Sequence, residues 1–210
     1  MKQLQASETM GSCHEICSDK TGTLTQGEMS VHACYTGKKV YDLDEKNLHE
    51  FALCSTAQTL AQTGVWSSSA FIEVDNATRA MTAKGNMTER GIFKFLLPDA
   101  YNIMDLISTR NGTRQWNIPF SSETKREISC YSYNGGYRVV AKGAPERILA
   151  ICDKQLSNTG SFEGLSEQET AAVKEVLLHQ SQKAMRGIMC CFRDFSAIEF
   201  EQFQLPTEDK

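Results

Sequence analysis

The sequence predicts an α+β fold, with a mainly antiparallel sheet flanked by helices. Three features carry that expectation. Glu127–Tyr133 and Tyr137–Ala141 are strand-like runs on either side of Asn134-Gly135-Gly136, and an Asn-Gly turn between two such runs marks a hairpin. Leu48, Phe51, Ala52, Ser55 and Thr59 fall on one face of a helix expected over 45–62, with Asp44 as its N-cap. Ser166, with Glu169 three residues on, forms a capping box ahead of a helix running to about Met185. Hairpins with helices alongside point to an antiparallel sheet rather than to parallel strand–helix–strand units.

The remaining elements follow in order. Glu15-Ile16-Cys17 suits the end of a buried strand, and Thr21-Gly22-Thr23 must turn because Gly22 tolerates backbone angles that other residues resist. Met29, Val31 and Ala33 alternate with polar residues as in a half-buried strand, which turns at 36–39 and returns through Val40-Tyr41. Residues 63–87 are rich in Ser, Gly and Thr and read as a long loop around one short strand, Phe71–Val74. Helices are expected over 88–97, with Thr88 as cap, and over 100–109. Trp116–Phe120 is extended because of Pro119. Pro145 suits the first turn of a helix over 145–152. A buried strand over 187–192, a short helix over 196–203 and a polar tail close the chain.

Composition narrows the class. With 210 residues and 40% hydrophobic side chains, the chain can bury a core. A net charge of -4 argues against a nucleic-acid surface. No apolar run approaches the ~18 residues of a membrane span, and the first residues lack an apolar signal region. Eight cysteines, together with sequons at Asn76, Asn86 and Asn111, raise the alternative of a secreted disulfide protein. Against it, several cysteines lie inside apolar runs, where free Cys packs as a small hydrophobe, so reduced thiols and a cytosolic setting are expected. Cys13-His14 with Cys17 lacks the second ligand pair that a zinc site needs.

The chemistry centres on Cys17-Ser18-Asp19-Lys20-Thr21-Gly22-Thr23-Leu24-Thr25. An aspartate side chain has a reference pKa of ~3.9, so this residue type is an ionised nucleophile at neutral pH without the help of a base. Its obstacle in attacking a phosphate is repulsion, which an adjacent ammonium, hydroxyls, backbone N–H groups and a divalent metal would offset. An ordinary polar turn would account for Ser-Asp-Lys-Thr-Gly alone. The longer run Asp-Lys-Thr-Gly-Thr-Leu-Thr resembles the phosphorylation motif of P-type ATPases, cation pumps that pass through an aspartyl-phosphate. The resemblance implies that Asp19 is phosphorylated, that Lys20 and Thr21 help hold the phosphoryl group, and that Asp19 and Thr21 contribute oxygens to Mg²⁺.

Four further segments stand in the order found in that family's nucleotide-binding domain. They are Gly85-Asn86-Met87-Thr88-Glu89, Pro119-Phe120-Ser121, Lys142-Gly143-Ala144-Pro145-Glu146 and Met185-Arg186-Gly187. Each suits a nucleotide in its own right. Phe120 offers a ring for a purine to stack on. Glu89 can accept a hydrogen bond from the adenine amino group. Lys125 and Lys142 supply positive charge, Gly143 allows close backbone approach, and Arg186 can grip a phosphate in bidentate fashion. Ser122 stands where the family often has a basic residue, and Glu123 and Glu127 make the following strand less basic.

The resemblance implies ATP and Mg²⁺ as cofactors, a pump whose other domains and transmembrane helices are its partners, and a place at the cytosolic face of a membrane. Ser7-Glu8-Thr9-Met10-Gly11 and Cys191–Phe195 look like plasma-membrane-type calcium pumps, so Ca²⁺ is the expected ion. The expected domains are 1–27, the first strand-turn piece of an incomplete haloacid dehalogenase-like phosphorylation domain; 28–204, the nucleotide-binding domain without its last strand; and a tail over 205–210. The family's Thr-Gly-Asp and Gly-Asp-Gly segments do not occur in these residues, so this chain alone is expected to bind nucleotide without turnover. Two alternatives are a non-catalytic nucleotide-binding module and a haloacid dehalogenase-like phosphatase. The phosphatase usually carries Asp-x-Asp, and Thr21 occupies the place of the second Asp.

Overall fold

The computed structural model describes residues 11–43, 47–97 and 101–202. Expectations that fall on 1–10, 44–46, 98–100 and 203–210, including Ser7–Met10, the Asp44 cap and the tail, lie outside the described residues.

The Asp19 segment departs from expectation. Glu15, Ile16 and Cys17 form no strand, and Ile16 is 83% exposed. A strand exists only where a neighbour satisfies its backbone groups, and no described residue pairs with this segment. Lys20–Leu24 closes a single π turn, in which the Thr25 N–H donates to the Lys20 carbonyl at 3.1 Å. Gly22, at φ 78, is its left-handed residue.

From Gly27 the chain packs. β1 (Ala33–Thr36) and β2 (Lys39–Asp42) form the expected hairpin, turning at Gly37 and Lys38, although the first strand begins at Ala33 rather than Met29. The single helix expected over 45–62 is two, α1 (Asn47–Leu53) and α2 (Ala57–Trp66). The break falls where polar side chains find partners elsewhere. The Thr56 hydroxyl accepts from Thr36 at 2.8 Å, and Ser55 donates to the Asn158 carbonyl at 2.5 Å.

The stretch expected to be mostly loop contains a hairpin of β3 (Phe71–Val74) and β4 (Met81–Lys84). Asp75 makes its turn by accepting from the Ala77 and Thr78 N–H groups at 2.9 and 2.7 Å. α3 (Met87–Leu96) is capped by Asn86, which accepts from the Glu89 N–H at 2.9 Å, and not by Thr88. α4 (Ile103–Thr113) leads into β5 (Arg114–Ile118). β6 (Arg126–Tyr133) and β7 (Gly136–Gly143) then form the Asn-Gly hairpin, with Asn134 and Gly135 both left-handed as such a turn requires. After α5 (Pro145–Leu149) comes a small hairpin without a sequence signal, β8 (Lys154–Leu156) with β9 (Phe162–Gly164). α6 (Glu167–Gln182) carries the expected capping box, and β10 (Met189–Phe195) and α7 (Ala197–Glu201) follow.

The fold is α+β. Its main sheet has the order β10-β7-β6-β5 with every pairing antiparallel, and the described residues also form three two-stranded sheets. α2 lies on β7 and β10, and α4 lies on α2 and β6. Trp66 of α2 packs on Tyr131 of β6, ring centroids 4.7 Å apart, and the Tyr131 hydroxyl donates to the Trp66 carbonyl. Alternation along the strands therefore turns Glu127, Ser129, Tyr131, Val140 and Lys142 toward the helices.

α3 also ties down the N-terminal segment. Arg90 donates to the Gly27 carbonyl at 3.0 Å, Lys94 pairs with Glu28 at 2.9 Å, and Gly91 lies against the Met29 backbone. A Cβ at 91 would sit 2.7 Å from the Met29 carbonyl oxygen. Gly→Ala inside a helix normally stabilises by up to ~1 kcal/mol. Here the clash should win, and Gly91→Ala should destabilise the chain by roughly 1–3 kcal/mol in urea unfolding. A more stable variant would show that the 27–29 segment is not packed as described.

Candidate functional site

The Asp19 turn is open. Asp19 precedes the π turn at φ -66 and ψ 144, its carboxylate caps no backbone N–H, and Asp19 and Lys20 are exposed. The hydrogen bonds of the turn run within 18–25: Ser18 to the Asp19 carbonyl at 3.3 Å, Gly22 N–H to the Thr25 hydroxyl at 3.4 Å, and that hydroxyl to the Lys20 carbonyl at 3.3 Å. Among the described residues no group of three His, Cys, Asp or Glu could hold a metal ion, Cys13, His14 and Cys17 included. The cysteines from Cys17 to Cys191 are free thiols.

The other motif segments meet at one end of the main sheet. Ile118 ends β5 opposite Ile128, so Phe120 emerges where β6 begins at Arg126 and β7 ends at Gly143. The intervening residues 121–125 close one turn, with the Lys125 N–H donating to the Ser121 carbonyl at 2.8 Å. Lys125 sits there at φ 53, and its carbonyl accepts from the Ala144 N–H at 2.9 Å. The space beside the Gly143 Cα is taken up by this turn, since a Cβ there would lie 2.3 Å from the Lys125 oxygen. Gly187 closes the other side, where a Cβ would lie 3.1 Å from the Pro145 ring. The segments that carry Phe120, Lys125 and Arg186 thus flank Gly143–Pro145, and all three side chains are exposed, Phe120 at 59%. The Lys125 ammonium is 4.0 Å from Glu146.

Beneath this exposed rim lies a buried charge cluster. Glu89 is 2% exposed, Glu127 6% and Lys142 7%. The Lys142 ammonium donates to Glu89 Oε1 at 2.7 Å and to the Ser68 hydroxyl at 2.7 Å, and stands 3.9 Å from Glu127 Oε2. Glu89 Oε2 accepts from the Ser69 N–H at 3.2 Å, the Ser69 hydroxyl at 3.0 Å and the Ala70 N–H at 3.2 Å. Burial pushes the Glu89 carboxyl up, but the charge and hydrogen bonds of Lys142 and Ser69 outweigh it and leave it below the usual carboxylate range. Glu127 has no such set of donors. Burial raises it, Lys142 offsets this in part, and the neighbouring Glu89 raises it again, to about 6.

Arg110 completes the arrangement from α4. It is 5% exposed, and its Nη1 donates to the carbonyls of Ser68 at 2.7 Å and Ala70 at 2.9 Å. The loop after α2 is therefore held by a carboxylate on its N–H side and a guanidinium on its carbonyl side. Ser68, Ser69 and Arg110 had not been singled out from the sequence. The run Ser67-Ser68-Ser69 read as plain loop, and Arg110 carried no local signal. Glu127 had been noted only as making its strand acidic. Its pairing with Lys142 was available by counting back along both strands from the two-residue turn.

Comparison with known proteins follows the same lines. A family described as P-type ATPase, cytoplasmic domain N, matches residues 56–210. Calcium-transporting ATPase 10, plasma membrane-type, of Arabidopsis thaliana is 28% identical over all of this chain and 20% of its own length. Calcium-transporting ATPase 3, plasma membrane-type, of Oryza sativa subsp. japonica is 30% identical over 99% of the chain and 20% of its own length. The sodium/potassium-transporting ATPase subunit alpha of Hydra vulgaris is 33% identical over 75% of the chain and 16% of its own length. The chain spans about a fifth of the length of the curated relatives it matches.

The buried cluster makes a stability prediction. Lys142→Met leaves two buried carboxylates without their cation, and should cost about 3–5 kcal/mol at pH 7.5. A carboxyl with a raised folded-state pKa favours folding fully below its unfolded value of ~4.3, and that contribution is lost as pH rises through about 6. The loss in the variant should therefore be smaller at pH 5, where Glu127 can take up a proton. Urea unfolding at both pH values measures it, and equal losses would contradict the account.

Proposed function

The chain belongs to the P-type ATPase family, and on that footing we propose that it is the nucleotide-binding and phosphoryl-accepting part of an ATP-driven cation pump, with Ca²⁺ as the transported ion. The observation that supports it best is that β5, β7 and β10 bring the Pro119–Ser121, Lys142–Pro145 and Arg186–Gly187 segments to one end of the main sheet, where Lys142 pairs with Glu89. Ca²⁺ rests on the plant calcium-transporting relatives. No helix among the described residues is long and apolar enough to cross a membrane. The membrane helices and remaining domains of such a pump are proposed as this chain's partners.

In this reading the adenine stacks on Phe120, and the buried Lys142 and Glu89 form the floor against which it is oriented. The exposed cations Lys125 and Arg186 face the phosphates. Asp19 accepts the phosphoryl group: a carboxylate oxygen attacks the γ-phosphorus, ADP leaves, and an aspartyl-phosphate remains. Lys20 offsets the charge of the incoming phosphate. The donor chemistry fits Mg²⁺, since a lone carboxylate on Asp19 and the main-chain carbonyl of Thr21 are hard oxygen ligands that leave room for water and phosphate oxygens. When bound, that ion supplies neutralising charge at the transferring group. Thr21, in place of a second Asp, provides no base to activate water, which favours a lasting phospho-intermediate over rapid hydrolysis.

By the same reading, 1–27 is the opening piece of a haloacid dehalogenase-like phosphorylation domain, 28–204 is the nucleotide-binding domain, and 205–210 is a tail. A stand-alone nucleotide-binding module is the second reading, supported by the openness of the Asp19 turn.

Calorimetric titration of ATP into the 210-residue chain tests the pocket. Phe120→Ala should weaken binding by about 1–3 kcal/mol, the range that base stacking on aromatic side chains supplies. Unchanged affinity would remove Phe120 from the site. The chain alone should release no phosphate steadily from ATP. Sustained release that disappears in Asp19→Asn would overturn that expectation.

A further inference from the structure

The buried cluster holds one carboxylate more than its ammonium needs. Glu89 bonds to Lys142 through one oxygen and to Ser69 and Ala70 through the other, and it also shares a hydrogen bond with Glu127, which needs a proton on one of the two carboxyls. Glu127 is the spare. Its Oε2 is 3.9 Å from the Lys142 ammonium, beyond hydrogen-bond reach. Its position is fixed by the hairpin register, which sets it directly across from Lys142.

One further cation, Arg110, reaches it from α4. On its own strand the next side chains of the same face are Ser129 and Tyr131. From α3 it meets Glu89, a like charge. From α4 it meets Arg110, whose guanidinium is engaged with the Ser68 and Ala70 carbonyls. Across β7 the residue paired with Lys142 on β10 is Cys190, a half-buried thiol. With both carboxyls ionised, Lys142, Glu89 and Glu127 sum to one negative charge in a buried place, and the Arg110 guanidinium, whose charge also reaches Glu127, offsets it less than Lys142 does. Placing a proton on Glu127 is the simplest way to make the three neutral.

We propose that Glu127 is a positioning residue for the nucleotide site, which in its ionised form adds a negative charge beside Lys142 that repels an anionic ligand, and in its protonated form removes that charge. This rests on the nucleotide reading above and adds a pH dependence to it. Burial beside Glu89 holds the Glu127 carboxyl at about 6, so the change falls between pH 5 and pH 7. Anionic nucleotides should bind more tightly as the pH falls through that window.

The test is calorimetric titration of ATP into the whole chain at pH 7.5 and pH 5.0, for the wild type, Glu127→Gln and Glu127→Asp. ATP itself titrates in this range, so the readout is the ratio of variant to wild-type affinity at each pH. Glu127→Gln should bind about three- to tenfold more tightly than wild type at pH 7.5, as removal of one nearby charge at intermediate dielectric implies. The ratio should approach one at pH 5.0. Glu127→Asp, which keeps the charge, should follow the wild-type profile. A Gln-to-wild-type ratio that does not change with pH overturns the inference while leaving the nucleotide reading intact. Failure of all three proteins to bind ATP at both pH values overturns the nucleotide reading, and this inference with it.

Discussion

An ammonium buried between two carboxylates is the constraint on which the rest of this molecule turns. Charges taken out of water cost several kcal/mol each unless they are paired and hydrogen-bonded. Lys142 can be buried only because Glu89 reaches it at 2.7 Å, and Glu89 only because Ser69 and Ala70 turn their N–H groups toward its second oxygen. Those N–H groups point inward only because Arg110 holds the carbonyls of the same loop. Three elements and one loop are thereby fixed to one another: β7 through Lys142, α3 through Glu89, α4 through Arg110. The geometry beneath the rim is over-determined in a way that a purely apolar floor would not be.

That fixity extends to the Asp19 segment. α3 contributes Glu89 to the cluster from one side and grips Gly27, Glu28 and Met29 with Arg90, Lys94 and the bare flank of Gly91 from another. The chain leaving toward Asp19 is therefore anchored on the helix that supplies the buried carboxylate. Beyond Gly27 its described hydrogen bonds are local. An anchored segment with an open turn beyond it is compatible with the phosphoryl-accepting role proposed for Asp19.

Much of this was legible in the sequence where one local rule decided the outcome. Asn134-Gly135 fixed a hairpin, Ser166 and Glu169 fixed a helix start, and Pro145 opened a helix, because each acts through its nearest neighbours. Legibility failed where a distant partner decided. The helix expected over 45–62 breaks because residues 55 and 56 bond to Asn158 and Thr36, which no local pattern reveals. Glu15–Cys17 has the composition of a strand, but no described neighbour pairs with it. The motif residues themselves were easy to single out. What they do to one another was not, since Glu89 and Lys142 were read as two separate ligand contacts and the structure joins them as one ion pair.

That joining divides the labour within the proposed site. Lys142 and Glu89 already satisfy each other, so a nucleotide gains little by replacing either contact outright, because a bond made would be offset by one broken. Phe120, Lys125 and Arg186 are exposed and hold few contacts to lose, so what they give a ligand is nearly all net gain. The rim should then supply most of the affinity and the floor most of the orientation. In the proposed site, a purine on Phe120 would meet a floor of fixed donors and acceptors with Glu127 beside it, which would give an acidic residue on the buried face of β6 more weight than its place in the sequence suggests.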